Sequence, residues 1–391
     1  MEISSGWNPQ DLLRDPKLKD IIVLTLIVKV CIFIVIFLGI NFFPFAIGFH
    51  NANFVYPPGE HITFWTALKT WDGQHFTFLA EKGYMPNQAS DVVYPLFPVI
   101  VGFFRPIFLG NTIVAGLVLA NVFSLFAIIL FYLFVKSIYD EKAAFNSSLF
   151  LLAFPTSFYF SLIYSDSLFL LLSMIFMISL YQKWFIPALA SAFLLPLSRA
   201  QGILFLLPLF VYLVMLNVKG GKLKPGVFRE YFIPLVMLAG YAAYFLFMKH
   251  YTGSFFTAFE IQDKYMVGHH SILKVLHPIQ WFTDNFVNIN FTLHGFTTSI
   301  INRLFFLGFL ALISPAVKKL DPVLLAFLLA MGLVPALTSN FIAYIRYILA
   351  AFPIFIVLAI VLKEKHYLLL VPMIVLQTIF LLMHSLNFWV A

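Results

Sequence analysis

The sequence predicts an all-α polytopic membrane protein, and three observations predict it. Only 10% of the 391 residues are charged, 62% are hydrophobic, and the mean hydropathy is +0.95. A soluble domain carries roughly 25% charged residues because its surface must be wet, so this chain has too few to cover a water-facing exterior. Apolar runs of about 18 residues or more recur along the whole length, each long enough to cross roughly 30 Å of hydrocarbon. Unpaired backbone groups are costly in lipid, so such runs close their hydrogen bonds as helices or as barrel strands. Their length excludes strands and leaves a helical bundle.

Read between polar breaks, the apolar candidates are 21–43, 92–109, 111–135, 143–162, 164–181, 184–198, 201–217, 231–249, 298–316, 321–338, 341–362 and 367–388. Two polar stretches, about 44–91 and about 251–297, are too long for turns and are expected as loops. Basic residues set the orientation, since short cytoplasmic loops carry the excess of Lys and Arg. Arg14, Lys17 and Lys19 precede the first run, and Lys219, Lys222, Lys224 and Arg229 share one short loop. Lys318 with Lys319 and Lys363 with Lys365 mark two more cytoplasmic turns. With a cytoplasmic N-terminus, 44–91 lies outside, and five spans rather than six must separate it from the Lys219–Arg229 loop. The run given up is 92–109, where Pro95, Pro98, Arg105 and Pro106 suit a re-entrant or interfacial segment. The expectation is one membrane domain over 1–391 with about eleven spans and a large first extracytoplasmic loop.

Composition narrows the rest. No small-residue cleavage site follows the first apolar run, so it is expected as a retained anchor. The lone Cys31 excludes an internal disulfide and disfavours a thiolate metal site. A net charge of +7 reflects basic cytoplasmic loops here, not a nucleic-acid partner. The 49 Phe residues are lipid-facing bulk and carry no functional signal.

The chosen parity brings Asp72, Asp166, Arg199, Gln262 and Arg346 to or near the outer face, where chance would scatter them. Trp71-Asp72-Gly73-Gln74-His75-Phe76 sets a carboxylate and an imidazole three residues apart, on one face if helical. A carboxylate walled by aromatics suits a base; the bland alternative is a helix cap on an interfacial helix. Tyr164-Ser165-Asp166-Ser167 interrupts two apolar runs, and an ionisable group at membrane depth is a functional candidate as well as a possible N-cap. Arg199, in Ser198-Arg199-Ala200-Gln201-Gly202, and Arg346 offer a planar fork for carboxylate or phosphate; snorkelling is the bland account of both. His269 and His270 lack a third ligand at metal spacing and read as exposed loop residues. Walker, dinucleotide and zincin motifs are absent from the sequence.

The first of these motifs resembles a known family. Trp71-Asp72-x-x-His75-Phe76, then Ala80-x-x-Gly83-Tyr84 and Tyr94-Pro95-Leu96-Phe97-Pro98, is similar to the signature of the PIG-V mannosyltransferases and their prokaryotic relatives, of the GT-C superfamily. Tyr164-Ser165-Asp166-Ser167-Leu168-Phe169 resembles the family's Y-S-[ED]-x-L-F, Ser198–Gly202 its S-R-x-x-G, and Arg346-Tyr347 with Phe352-Pro353 a late R-Y…F-P. Gln262 is similar to a Gln found in bacterial members. The resemblance implies a GT-C-type bundle with its pocket at the outer face, and an inverting transfer of a hexose, commonly mannose. The donor would be a polyprenyl- or dolichyl-phosphate sugar, the acceptor a glycan or glycolipid, and the location the cell membrane if the host is a prokaryote. Asp72 is then the expected base and Asp166 a second catalytic carboxylate. His75, Arg199, Gln262, Arg346, Trp71 and Tyr164 are expected to bind substrate. The sequence demands no metal and leaves a divalent ion open. Two competing functions share these features: an envelope-glycan polymerase or ligase, and a lipid-linked oligosaccharide flippase. A transporter usually shows internal repeats and charges at the midplane, and neither is visible.

Overall fold

The computed structural model describes residues 15–220, 229–265, 276–293 and 295–390. Among them the regular structure is helical, and the one bridge pairs Thr292 with Ser299. The longer helices are α1 Pro16–Phe42, α2 Asp72–Lys82, α3 Leu96–Phe104, α4 Thr112–Ile138, α5 Glu141–Ala153, α6 Asp166–Gln182 and α7 Phe185–Ser198. They continue as α8 Leu206–Gly220, α9 Phe232–Thr252, α10 Thr257–Tyr265, α11 Ile300–Lys319, α12 Pro322–Ser339, α13 Pro353–Leu362 and α14 Tyr367–Ser385. Their starts follow local chemistry. Asp15 caps α1 by accepting from the Lys17 and Leu18 amides at 2.9 and 3.2 Å, with Pro16 next in line. Asn111, Asp140 and Asp321 cap α4, α5 and α12 in the same way.

Among the described residues six stretches are long and apolar enough to cross a membrane: Pro16–Phe42, Thr112–Ile138, Ala200–Asn217, Arg229–Thr252, Ile300–Lys319 and Pro353–Ser385. The last joins two of the expected runs through a 3-10 turn at Lys363–His366. Shorter apolar helices lie at Leu96–Phe108, Asp166–Gln182, Phe185–Ser198 and Pro322–Thr338. The expected run 143–162 is broken: α5 stops at Ala153, before Pro155, and a 3-10 turn follows at Ser157–Ser161. The segment expected at 92–109 is α3 followed by a 3-10 turn at Arg105–Phe108. At 1.5 Å per residue those elements reach about 20 Å, short of the roughly 30 Å a crossing needs. His269 and His270 lie outside the described residues.

Burial orders the bundle. α1 exposes Val23, Leu26, Ile27, Val30, Ile34 and Phe37 along one stripe, and turns Ile21, Thr25, Ile32 and Ile36 inward. α6 is buried almost throughout and packs between α4 and α7. α1 and α4 run antiparallel. Lys29, a cation within a span, donates to Asn121 at 2.9 Å and to Ser124 at 2.7 Å, and Lys136 near the far end of α4 pairs with Asp15 at 2.8 Å.

This gives the molecule two chemically different ends. Lys136 sits beside Asp15 and Glu141, Lys142 pairs with Glu364, and Tyr139 donates to the Lys319 carbonyl. The basic turns at 17–19, 318–319 and 363–365 therefore share the end opposite Thr112. Toward the Thr112 end, Gly116 lies directly against Ile163, which places Tyr164 and Asp166 there.

The stretch expected as the first long loop, 44–91, contains α2, the helical option weighed for Asp72 and His75, and short helices at Ile47–Asn51 and Phe64–Ala67. α2 is seated on α3 by one close approach: a Cβ on Gly102 would stand 2.8 Å from the Ala80 carbonyl oxygen. A backbone atom cannot swing away, so Gly102→Ala should cost about 1–3 kcal/mol and lower the unfolding midpoint in detergent. Gly48→Ala meets nothing within 4 Å and should leave the midpoint unchanged; equal midpoints for both variants would refute the close packing.

Candidate active site

Four charged side chains from four separate elements meet at the Thr112 end. Asp72 is the first residue of α2, and the turn before it is strained. Trp71 has φ 56° and ψ −128°, a region that a bulky L residue rarely enters. Its indole N–H donates to the Phe388 carbonyl at 3.2 Å, and its ring meets Trp389 edge-on at 5.1 Å. The contact with the C-terminal segment thus helps hold the conformation that presents Asp72.

Asp166 opens α6, and Arg199 closes α7 in an extended conformation. The chain then folds back as a 3-10 helix, Ala200–Phe205. It comes so close that a Cβ on Gly202 would lie 2.6 Å from the Leu195 carbonyl. That contact gives the Ser-Arg-x-x-Gly spacing a physical reason, because only glycine permits the fold-back that follows the arginine. Arg346 lies in a four-residue helix, Tyr344–Tyr347, reached through three left-handed residues, Asn340, Phe341 and Ala343.

Together these side chains form a ladder of alternating charge. Arg346 Nη1 donates to Asp72 Oδ2 at 2.8 Å, while its Nη2 and Nε donate to Asp166 at 2.9 and 3.4 Å. Asp166 Oδ1 also pairs with Arg199. Burial separates the two acids: the Asp166 side chain is 6% exposed, that of Asp72 49%. Arg346 stacks on two aromatic faces, its Cζ 4.5 Å from the Tyr159 centroid and 4.6 Å from that of Tyr164. Arg199 is flanked at 5.9 Å by Phe169 and Tyr347.

Electrostatics follows from this geometry. Burial would raise the Asp72 carboxyl, but the Arg346 cation, helped by its hydrogen bond, holds it below the usual Asp value of 3.8. Burial lowers Arg346 in principle, yet Asp166 and Asp72 outweigh it and keep the guanidinium firmly protonated. His75, one turn from Asp72, is pushed below its usual value by burial despite the nearby carboxylate. Its Nδ1 is 2.9 Å from Ser90 Oγ, and its ring stacks on Phe54 at 4.5 Å. Among the described residues no group of three or more His, Cys, Asp or Glu side chains could hold a metal ion.

Residues 58–259, just over half of the chain, match the family model described as mannosyltransferase (PIG-V). The chain belongs to the PIG-V mannosyltransferase family. No curated protein matches its sequence. Among solved structures it is similar to the oligosaccharyltransferase of Archaeoglobus fulgidus. The complex with Zn and sulfate is 13% identical at TM-score 0.47, covering 92% of this chain and 53% of that one. The complex with an inhibitory peptide and a dolichol-phosphate is 13% identical at TM-score 0.48, covering 93% and 56%. The chain thus spans little more than half the length of those structures.

Within this PIG-V chain, the matched stretch contains Asp72, His75, Tyr164, Asp166 and Arg199, whereas Arg346 comes from outside it. Of the eight residues expected at the site, Asp72, Asp166, Arg199, Arg346 and Tyr164 are in direct mutual contact. Trp71 and His75 flank them. Gln262 lies on α10, which packs on the 3-10 turn Ala89–Val92 behind His75. Sequence reasoning missed Tyr159, Ser90 and His384, whose ring nitrogens lie 3.4 and 3.3 Å from the Tyr159 and Tyr164 hydroxyls. A tyrosine in an aromatic run and a histidine near a helix end give no distinguishing signal.

Two stability predictions separate the acids of this region. Asp166→Asn leaves two shielded guanidiniums short of a counter-charge and should cost on the order of 3–5 kcal/mol, read as a large drop in unfolding midpoint. The half-open Asp72→Asn should unfold close to wild type, and equal losses would refute the division. Asp91 is fully buried, and burial raises its carboxyl from 3.8 to about 6. A raised folded-state value means stability that is present below the unfolded pKa and lost as pH rises through about 6. Asp91→Asn should therefore stabilise the protein above pH 6 by on the order of 2–3 kcal/mol and have little effect near about pH 4. A gain that is the same at both pH values would overturn the assignment.

Proposed function

We propose that this chain is a membrane glycosyltransferase of GT-C type. It moves a hexose, mannose by its family, from a polyprenyl- or dolichyl-phosphate donor to a hydroxyl of a glycan or glycolipid acceptor, with inversion, at the extracytoplasmic face. One observation carries the reading. A half-open carboxylate, Asp72, is joined at 2.8 Å to a caged arginine that is itself fixed by a buried second acid. An inverting transfer needs a base for the acceptor hydroxyl and a cation for the leaving phosphate, and this pair holds both chemistries in one place, ready to part when the donor enters between them.

In this scheme the acceptor oxygen attacks the anomeric carbon from the face opposite the phosphate, and its proton passes to Asp72. The carbon–oxygen bond to phosphate breaks with its electron pair, and the lipid phosphate leaves as an anion. Arg346 and Arg199 stabilise that charge from fixed positions. Asp166, with guanidinium groups on both of its oxygens, is a positioning residue. Trp71 and His75 border the acceptor side.

The Asp72–Arg346 pair makes the base weak until the donor arrives. A donor phosphate recruits the same guanidinium, the Asp72 contact loosens, and its carboxyl climbs back toward ordinary basicity. The expected order of events is donor first, proton transfer second. The gathering of these charges at one end of the bundle, with the basic turns at the other, supports an end-on active site over a midplane transport path.

The test is release of free lipid phosphate by purified protein in detergent, offered a panel of polyprenyl-phosphate sugars. Asp72→Asn should lower turnover about 10²–10⁴-fold. The acid limb of kcat/KM reports the free enzyme and should lie below the usual Asp range, because a depressed carboxyl stays ionised as pH falls. The limb in kcat reports the donor complex and should lie at higher pH. Near-normal turnover by Asp72→Asn would remove Asp72 as base, and coincident limbs would remove the exchange of partners.

A further inference from the structure

The cage around Arg346 is closed by a residue that the family match does not reach. The Tyr159 and Tyr164 rings stand 4.8 Å apart at 74°, forming a corner into which the guanidinium fits. Behind them lies His384, in the last turn of α14 and 1% exposed. Its Nδ1 is 3.4 Å from Tyr159 Oη, and its Nε2 is 3.3 Å from Tyr164 Oη. Its backbone carbonyl accepts from Thr70 Oγ1 at 2.9 Å, two residues before Asp72. His384 therefore touches both walls of the cage and the strand of chain that delivers the acid.

The hydrogen bonds of Tyr164 fix which ring nitrogen donates. Tyr164 Oη donates its proton to the Thr70 carbonyl at 2.8 Å, so toward His384 it can only accept. Nε2 then carries a hydrogen, and a neutral imidazole leaves Nδ1 as the acceptor facing the Tyr159 hydroxyl. This tautomer satisfies both ring nitrogens and keeps a second cation away from Arg346. Neither phenol ring can then turn without breaking a bond to the same imidazole. Phe158, 5.4 Å from the ring, limits its movement from a further side.

We propose that His384 is a positioning residue for the transfer reaction, acting through Tyr159 and Tyr164 to hold the Arg346 guanidinium between Asp72 and Asp166. The inference rests on the function proposed above for the ligand that Arg346 meets, but the placement of Arg346 itself is independent of it. His384 does not reach the reacting atoms. It makes the aromatic corner rigid, and the corner fixes the direction of Arg346 Nη1.

The ionisable groups around Asp72 are His75 on its own helix, Arg346, Asp166 with Arg199 behind it, Tyr159, Tyr164 and His384. Only Arg346 is in direct contact with the carboxylate among the ion pairs and hydrogen bonds of the described residues. Loosening Arg346 should therefore appear in the pH profile, which a residue that merely filled space would leave alone.

The variants are His384→Phe, which keeps the ring and removes both nitrogens, and His384→Gln, which restores a donor and an acceptor. Tyr159→Phe is the milder control should His384→Phe fold poorly, since it removes a single hydroxyl. His384→Phe is expected to lose roughly a hundredfold in kcat, with donor KM moving much less. Its kcat/KM acid limb should shift upward toward the ordinary Asp range, and His384→Gln should recover part of both changes. A structure of unliganded His384→Phe by electron cryomicroscopy should show the 2.8 Å Arg346–Asp72 contact broken. A retained contact together with a wild-type pH limb would overturn the proposal. If wild-type protein transfers nothing from any polyprenyl-phosphate sugar, the functional reading fails, and the Arg346–Asp72 contact in the variant still decides the role of His384.

Discussion

A guanidinium with nine-tenths of its surface removed from water stays charged only where its surroundings replace hydration. Arg346 meets that condition on every side: Asp166 takes two of its nitrogens, Asp72 a third, and two tyrosine rings cover its faces. Either carboxylate alone would leave part of the fork unmatched, and the buried one, Asp166, supplies the compensation that water cannot replace. The rest of the site is arranged around this demand. Asp166 is fixed because a second guanidinium, Arg199, holds its other side. Asp72 retains an open face because Arg346 occupies only one of its oxygens.

Meeting the demand takes contributions from far apart in the chain, at positions 72, 159, 164, 166, 199 and 346, with 384 behind them. Such long-range closure explains several otherwise odd local features. The left-handed residues Asn340, Phe341 and Ala343 turn the backbone so that Arg346 points inward, and the strained Trp71 turn brings Asp72 to its edge. Gly202 lets the chain return over the end of α7, and Gly102 lets α3 support α2. Each is a local sacrifice that is worthwhile only if the four charges meet. Locally unfavourable conformations clustered around one constellation are what a site, more than a scaffold, tends to collect.

What the sequence revealed follows from the same physics. Charges are rare in this chain and expensive at membrane depth, so Asp72, Asp166, Arg199 and Arg346 stood out against an apolar background. Their mutual contact was legible as convergence on one face, though not as pairing. Tyr159 and His384 were silent because phenols and imidazoles are ordinary occupants of helix ends and aromatic runs. Hydropathy counted residues without sensing backbone direction. It therefore read 143–162 as one span, where Phe154-Pro155 ends α5, and 341–362 as another, where a 3-10 turn at Ile348–Ala350 separates Arg346 from α13. The same blindness made 44–91 a loop with a helix at Asp72–His75 only as one option, although Asp72 opens a helix there. Gln262 resembled a substrate ligand by order along the chain, and in space it belongs to α10 against the Ala89–Val92 turn.

Two aspartates of identical chemistry end up in different settings, and on the proposed reading burial decides which duty each takes. Asp166 is closed off from solvent and clasped by two cations, so neither a proton nor a substrate oxygen has a place beside it. Asp72 shares one cation and faces outward, so it alone can exchange that cation for an incoming proton. The ladder of two acids and two guanidiniums sums to zero charge, and on the proposed reading an arriving phosphate is an extra anion that upsets the balance. The weakest link gives way first. That link is the pair whose acid water can already solvate, Asp72 with Arg346, because Asp166 could release its partners only by standing uncompensated in a low dielectric. On that reading the difference in exposure between the two carboxylates gives the reaction its direction: the anion enters at Arg346, and the base is freed where the acceptor hydroxyl can reach it.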